Sequence, residues 1–151
     1  MLWPDKIKSV LSSRPLQVLA RLVLGGIFIY ASLDKIAQPL QFAKIIENYK
    51  ILPLSLVTLS ALVLPWLEFL AGFCLVAGLW KRSAAILLFL LLLTFIMALG
   101  INAFRGINLS CGCFSTSATD TENVYVLIFR DLLLLLPGLL IIFFNREKKT
   151  P

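Results

Sequence analysis

The sequence contains no histidine, only three cysteines and few charged residues among its 151 positions. The absence of histidine removes the side chain that most often acts as a general base near neutral pH, so any proton transfer must use a carboxyl group or water. It also argues against zinc, which takes four ligands, commonly from cysteine and histidine. We therefore expect no metal site in this chain.

The shortage of charge excludes an ordinary soluble domain. Charged residues make up 15% of the sequence and hydrophobic residues 60%, and the mean hydropathy is +0.94. Soluble domains contain about 25% charged and about 45–50% apolar residues. A surface so poor in charge requires a lipid bilayer as its partner. The net charge of +6 indicates membrane topology rather than nucleic-acid binding, because the basic residues flank the hydrophobic runs.

Four hydrophobic runs are long enough to cross a bilayer, whose apolar core requires about 20 helical residues. They lie at about 16–33, 54–79, 84–104 and 124–144. The chain is predicted to be an all-α integral membrane protein, a four-transmembrane-helix bundle in a single domain over residues 1–151. No cleavable signal peptide is expected, because the first run contains Arg21 and extends past the length of a signal h-region.

The segment Pro39–Lys50 is too polar to span a membrane. Its apolar residues recur at helical spacing, with Lys44, Glu47 and Lys50 between them. This pattern predicts a short amphipathic helix on the outer membrane face, directly after the first span. An ordered loop is the alternative.

The basic residues are distributed unequally between the two sides of such a bundle. Eight lie in the N-terminal segment, the second connection and the tail: Lys6, Lys8, Arg14, Lys81, Arg82, Arg146, Lys148 and Lys149. Four lie in the other two connections: Lys35, Lys44, Lys50 and Arg105. The positive-inside rule then predicts cytoplasmic termini and an outward-facing last loop. In a bacterial inner membrane that loop would face the periplasm, where disulfides form readily.

Two cysteines form the motif Cys111-Gly112-Cys113, followed by Phe114, in the polar loop between the third and fourth runs. A disulfide needs Cα atoms about 4.4–6.8 Å apart. Residues two apart reach this distance only in a turned backbone, which Gly112 favours. Such a strained, exposed disulfide would be easily reduced. The motif favours thiol–disulfide chemistry at Cys111 and Cys113; half of a metal site and two unrelated loop cysteines are the alternatives.

Ionisable residues within the spans need partners, because each costs about 2.5–3.5 kcal/mol in a bilayer. Arg21 and Glu68 are predicted to lie roughly 8 Å and 12 Å from the cytoplasmic edge, at 1.5 Å per residue. We therefore predict an intramembrane ion pair between them. It would either hold the helices together or present a carboxyl group to a proton or a quinone.

Arg130 and Asp131 are predicted to lie roughly 10 Å below the outer edge. Arg105 or Arg130 could lower the pKa of a loop cysteine, since a nearby cation favours the thiolate. A plain Arg130–Asp131 packing pair is the alternative. Cys74, near the cytoplasmic end of the second span, is predicted to be a packing residue.

Several of these residues together resemble the DoxX-like membrane proteins, in particular the branch of the methylamine-utilisation protein MauE. The resemblance runs from about Arg21 to Asp131. Its motifs are Arg21-x-x-x-Gly25, Lys35, Tyr49, Pro53, Pro65-x-x-Glu68, Gly72 and Cys111-Gly112-Cys113-Phe114. The last motif is the most specific one, although Ser115 stands where the family tends to have glycine.

The resemblance implies an inner-membrane protein that acts with a periplasmic thioredoxin-like partner in the maturation of a disulfide-rich dehydrogenase subunit. For DoxX-like proteins it also implies a link to quinone, which makes quinone a candidate electron carrier. Two functions remain open. One is a thiol–disulfide redox component, and the other is a non-catalytic assembly factor whose C-G-C loop is structural or docks a partner. A transporter is disfavoured, because the sequence lacks internal repeats.

Overall fold

A computed structural model describes residues 3–106 and 123–144, and within them the chain forms six α-helices and no strand. The helices are α1 (Trp3–Leu11), α2 (Arg14–Ala37), α3 (Pro39–Asn48), α4 (Leu54–Ala77), α5 (Lys81–Phe104) and α6 (Val124–Phe144). Four of them, α2, α4, α5 and α6, are long and apolar enough to cross a membrane. The predicted all-α membrane bundle with a short helix after the first span is confirmed.

Helix ends differ from the predicted ones at charged residues, which the structure includes in the helices. The first span continues to Ala37, past Asp34-Lys35, because the Lys35 side chain is buried and does not need water. The third span begins at Lys81, whose charge lies in the first helical turn. Helix α1 was not predicted, since its nine residues mix polar and apolar types and form no long hydrophobic run.

The four long helices surround one apolar core. Leu24 and Phe28 of α2 pack with Leu75 of α4, Leu88 of α5 and Ile141 of α6. The apolar residues on the outer surfaces, such as those of α4 and α6, remain exposed in the isolated chain: Leu59, Leu62, Phe73, Leu133, Leu136 and Phe143. That distribution is typical of a bundle whose outer face meets lipid.

Helix α3 packs against the first part of α4. Phe42 and Ile46 lie buried against Val57 and Ala61. The apolar face of α3 is therefore covered by protein, whereas the sequence predicted that this face would lie on the membrane. The Glu47 and Lys50 side chains are exposed.

Helices α2 and α4 come into close contact at two glycines. A Cβ atom at Gly25 would lie 2.6 Å from Val76 Cγ2 and 2.8 Å from the Gly72 carbonyl oxygen. A Cβ atom at Gly72 would lie 3.0 Å from the Gly25 carbonyl oxygen. Small residues at this crossing let the two backbones come together, as in other membrane helix pairs.

Substituting Gly25 by alanine is expected to destabilise the bundle by about 1–3 kcal/mol, because the added methyl group overpacks the crossing. Gly26 provides a matched control, since a Cβ atom there has no neighbour within 4 Å. Unfolding midpoints of the two purified variants in the same detergent compare the positions. Equal midpoints for Gly25→Ala and Gly26→Ala would contradict the close approach.

Candidate functional site

The cysteine motif lies outside the described residues, as do Gly112 and Phe114. The described chain on either side shows where the segment is attached. It leaves the bundle after Phe104 at the end of α5 and returns at Asn123, immediately before α6. Because these two helices pack side by side, with Leu99 against Leu127 near those ends, both attachment points belong to one end of the bundle. We call it the loop-bearing end.

A buried ion pair joins α2 and α4 within the bundle. Lys35 Nζ lies 2.8 Å from Glu68 Oε2 and 3.0 Å from Oε1. Both side chains are buried, with exposed fractions of 2% and 0%. The two hydrogen bonds that the Lys35 ammonium group donates to the Glu68 carboxylate compensate part of the cost of removing these charges from water.

The predicted Arg21–Glu68 ion pair is wrong. Arg21 instead donates from Nε to the Leu75 carbonyl (3.0 Å) and from Nη2 to the Val76 carbonyl (3.4 Å). These carbonyls belong to the last turn of α4, where unpaired C=O groups and the helix dipole attract a cation. Glu68 instead pairs with Lys35, which lies nearer than Arg21 to the loop-bearing end.

Two aromatic rings flank the Lys35 ammonium. Nζ lies 5.1 Å from the centroid of Phe42 and 4.8 Å from that of Phe95. Cation–π contacts of this kind are worth about 2 kcal/mol or more when they are desolvated. Lys35 thus touches α4 through Glu68, α3 through Phe42 and α5 through Phe95.

Asp131 of α6 completes a charge cluster, by which we mean Lys35, Glu68, Arg130 and Asp131, of which all but the one-third-exposed Arg130 are buried. Asp131 is fully buried, and its Oδ1 lies 3.3 Å from Arg130 Nη2. Lys35 and Asp131 also line one small cavity, together with Phe95. The cluster contains two cations and two anions, so it is neutral when all four groups are charged. It links α2, α4 and α6, and its carboxyl groups could hold or release a proton.

The structure brings together only some of the predicted site residues. Arg130 and Asp131 form the packing pair that the sequence offered as an alternative. Arg105 is exposed at the loop-bearing end, where its Nη1 donates to the Tyr49 carbonyl oxygen (3.1 Å). A role for either arginine beside the cysteines stays a prediction. Within residues 3–106 and 123–144, no cluster of acidic or cysteine side chains is large enough to hold a metal ion.

Asn102 was missed by the sequence reasoning. It is fully buried on α5, and its Nδ2 donates to the Ala98 carbonyl (2.9 Å), while its Oδ1 has no hydrogen-bond partner among residues 3–106 and 123–144. In the sequence, Asn102 could have been noticed as a polar residue in an otherwise apolar run. The position stands out because both polar atoms of a buried amide usually have hydrogen-bond partners.

Tyr49 lies between α3 and α4, outside the membrane-spanning segments, and is only 6% exposed. Burial, and then the negative charge of Asp131, raises the pKa of Tyr49 from 10.0 to about 12. The neutral phenol is the form that suits both its burial and its acidic neighbour.

The raised pKa of Tyr49 predicts a loss of stability in alkali. Because the folded state holds this proton more tightly than the unfolded state does, the stabilisation is complete below pH 10. It is lost as the pH rises towards about 12, by up to about 1.4 kcal/mol per pH unit. The free energy of unfolding should therefore fall more steeply over this range in the wild type than in Tyr49→Phe. Parallel curves would contradict the assignment.

The family model described as methylamine utilisation protein MauE matches residues 13–144. The methylamine utilization protein MauE of Paracoccus denitrificans is 33% identical over 115 residues, which cover 76% of this chain and 61% of that protein. That of Methylophilus methylotrophus is 29% identical over 108 residues, which cover 71% and 57%. The matched regions thus span about three fifths of each relative's length. No solved structure matches the chain.

Proposed function

The chain belongs to the MauE family of methylamine utilisation proteins, and from this premise we propose that it is a membrane component of thiol–disulfide exchange in methylamine utilisation. Cys111 and Cys113 are the proposed reacting groups. The proposed partner is a periplasmic thioredoxin-like protein that needs its own cysteine pair oxidised or reduced. A periplasmic protein of the pathway would be matured by this exchange.

The observation that carries the proposal is the closely spaced cysteine pair in the connection between two packed membrane helices. The two cysteines are separated in sequence only by Gly112, in a segment whose attachment points are the neighbouring ends of α5 and α6. Arg105 follows α5 directly, six residues before Cys111, and we propose it as the cation that favours the thiolate. Gly112 gives the backbone the freedom to close the pair.

The proposed exchange conserves atoms and electrons. A thiolate of the reduced partner attacks the Cys111–Cys113 disulfide and forms a mixed disulfide, releasing one loop thiolate. The second thiolate of the partner then attacks the mixed disulfide. The partner leaves as a disulfide, and Cys111 and Cys113 take up two electrons and two protons as a dithiol.

The loop dithiol must then pass its two electrons to an acceptor. We propose a quinone, which would accept two electrons and two protons to become a quinol while the disulfide reforms. Its solubility in the bilayer matches a chain with four membrane-spanning helices. The quinone follows from the resemblance to DoxX-like proteins, and that wider relationship is also part of the proposal.

We further propose an inner-membrane location with both termini in the cytoplasm and the loop in the periplasm. Lys35 no longer counts among the loop cations because it is buried, so the distribution of basic residues changes from eight against four to eight against three. The bias towards the cytoplasmic side is therefore stronger than the sequence indicated.

Labelling in intact spheroplasts tests this orientation. In a cysteine-free background, Ser117→Cys should react with a membrane-impermeant maleimide from outside. Ser83→Cys, at the start of α5 and exposed, should react only after permeabilisation. The opposite pattern would place the loop in the cytoplasm and remove the proposed periplasmic partner.

Growth on methylamine tests the function. In the native host, we expect chromosomal Cys111→Ala or Cys113→Ala to abolish growth on methylamine, whereas Cys74→Ala should grow normally because Cys74 is a half-buried core residue. Membrane levels of each variant must match the wild type. Full growth of Cys111→Ala/Cys113→Ala would reject thiol exchange in favour of a non-catalytic assembly factor.

A further inference from the structure

An apolar crevice of about 440 Å³ lies between α3 and α4 on one side and α5 on the other. We infer that it binds one acyl chain of an anionic phospholipid, whose phosphate group lies against Arg105 and Lys50. The residues that form its walls include Ile46, Tyr49, Leu64, Phe95, Ala98 and Ile101. This inference does not require the proposed redox function, although Arg105 takes part in both.

The course of the crevice suits a hydrocarbon chain. Along α5 the crevice extends from Thr94 to Ile101, about 10 Å at 1.5 Å per residue. It therefore runs parallel to a membrane-spanning helix, as an acyl chain does in a bilayer. Two lining residues are open to the surroundings, Met97 with 66% and Ile51 with 45% of their surface exposed. The crevice thus opens sideways, where the bundle meets lipid.

Cations lie where the headgroup of such a lipid would be. The Arg105 Nη1 donates to the Tyr49 carbonyl at 3.1 Å, which uses one of the five N–H groups of a guanidinium. Lys50 is the next residue after Tyr49, and the Lys50 and Arg105 side chains are exposed. Glu47, one turn before Lys50, is the exposed acid nearest in sequence. These three side chains carry a net charge of +1, and arginine in particular forms strong hydrogen bonds with phosphate.

The arrangement of the cations and the crevice along the membrane normal favours an anionic lipid as the ligand. Positive charge at the loop-bearing end is followed by an apolar channel directed into the membrane, which matches a phosphate attached to a hydrocarbon chain. A neutral quinone could fill the channel but would leave the cations unused. A free phosphate would use the cations but not the channel.

Native mass spectrometry of the delipidated full chain tests the inference, with dioctanoyl phosphatidylglycerol as the probe. The wild type should bind one molecule with preference over dioctanoyl phosphatidylcholine. Lys50→Gln/Arg105→Gln should bind phosphatidylglycerol at least about tenfold more weakly, the loss expected when charge-assisted hydrogen bonds disappear. Arg82→Gln, an exposed arginine in the first turn of α5, is the matched charge control and should bind normally.

A second pair of variants tests the channel. Ala98→Trp should fill the crevice and abolish binding, whereas Leu90→Trp, on the same helix at a position 53% exposed, should not. Unchanged binding by either Ala98→Trp or the double charge variant would overturn the inference. So would competition by glycerol phosphate as effective as that of the lipid, or displacement by a short-chain quinone with no dependence on Arg105.

Discussion

Replacing Glu68 by alanine should strongly reduce the yield of folded protein. The substitution would leave the Lys35 ammonium buried between two aromatic rings without the carboxylate that now accepts two hydrogen bonds from it. Removing one partner of a buried ion pair typically costs about 3–5 kcal/mol, because the remaining charge stays desolvated. The fraction of expressed protein that elutes as a single monodisperse species in detergent measures the effect.

A double variant distinguishes the pair from its separate members. Lys35→Met/Glu68→Leu removes both charges and keeps similar volume, so it should recover most of the yield that either single substitution loses. Glu47→Ala is the matched control, because Glu47 is an exposed glutamate on α3. If the double variant were as unstable as the sum of the two single ones, the interaction between Lys35 and Glu68 would not be the cause.

Cys113→Ala should form a mixed disulfide through Cys111 with the oxidised form of the proposed partner, by the reverse of the proposed exchange: the Cys111 thiolate attacks the partner's disulfide and releases one partner thiolate. Alkylation of that released thiol in intact membranes prevents the return reaction, and without Cys113 the loop cannot reduce the intermediate further, so the mixed disulfide should be trapped. A high-mass species that disappears on reduction should then be found in membranes of this variant, and mass spectrometry should identify a thioredoxin-like chain in it. The species should be absent from Cys111→Ala/Cys113→Ala. Its presence in that double variant would assign the crosslink to Cys74 and contradict the proposal.

The spans could be predicted because each is specified by one continuous stretch of sequence. Twenty or so apolar residues in a row specify a membrane helix whatever its neighbours are, and the fourth predicted span agrees with α6, Val124–Phe144. The end of α2 could not be found in this way. Whether Lys35 stops a helix or lies inside it depends on Glu68, which is 33 residues away.

The buried polar residues had a local signal, but their partners did not. Lys35 continues the buried stripe of Leu24, Phe28 and Ala31 at helical spacing, and this phase could have indicated its burial. Depth along the helix could not identify the partner of Glu68, since Arg21 and Lys35 both come from α2. Two features determine that Glu68 pairs with Lys35: the close approach of α2 and α4 at Gly25, and the α4 carbonyl groups that accept hydrogen bonds from Arg21. Both are tertiary features.

The redox state of the cysteine pair tests the central claim most directly. The purified chain is alkylated with one reagent, reduced mildly, alkylated with a second reagent, and digested for peptide mass analysis. We predict that Cys111 and Cys113 gain the second label together, with a midpoint potential well above the roughly −300 mV of structural disulfides. Cys74 should carry the same label before and after reduction. Thiols at 111 and 113 that never oxidise, or a disulfide that resists reduction, would contradict thiol–disulfide exchange at this loop.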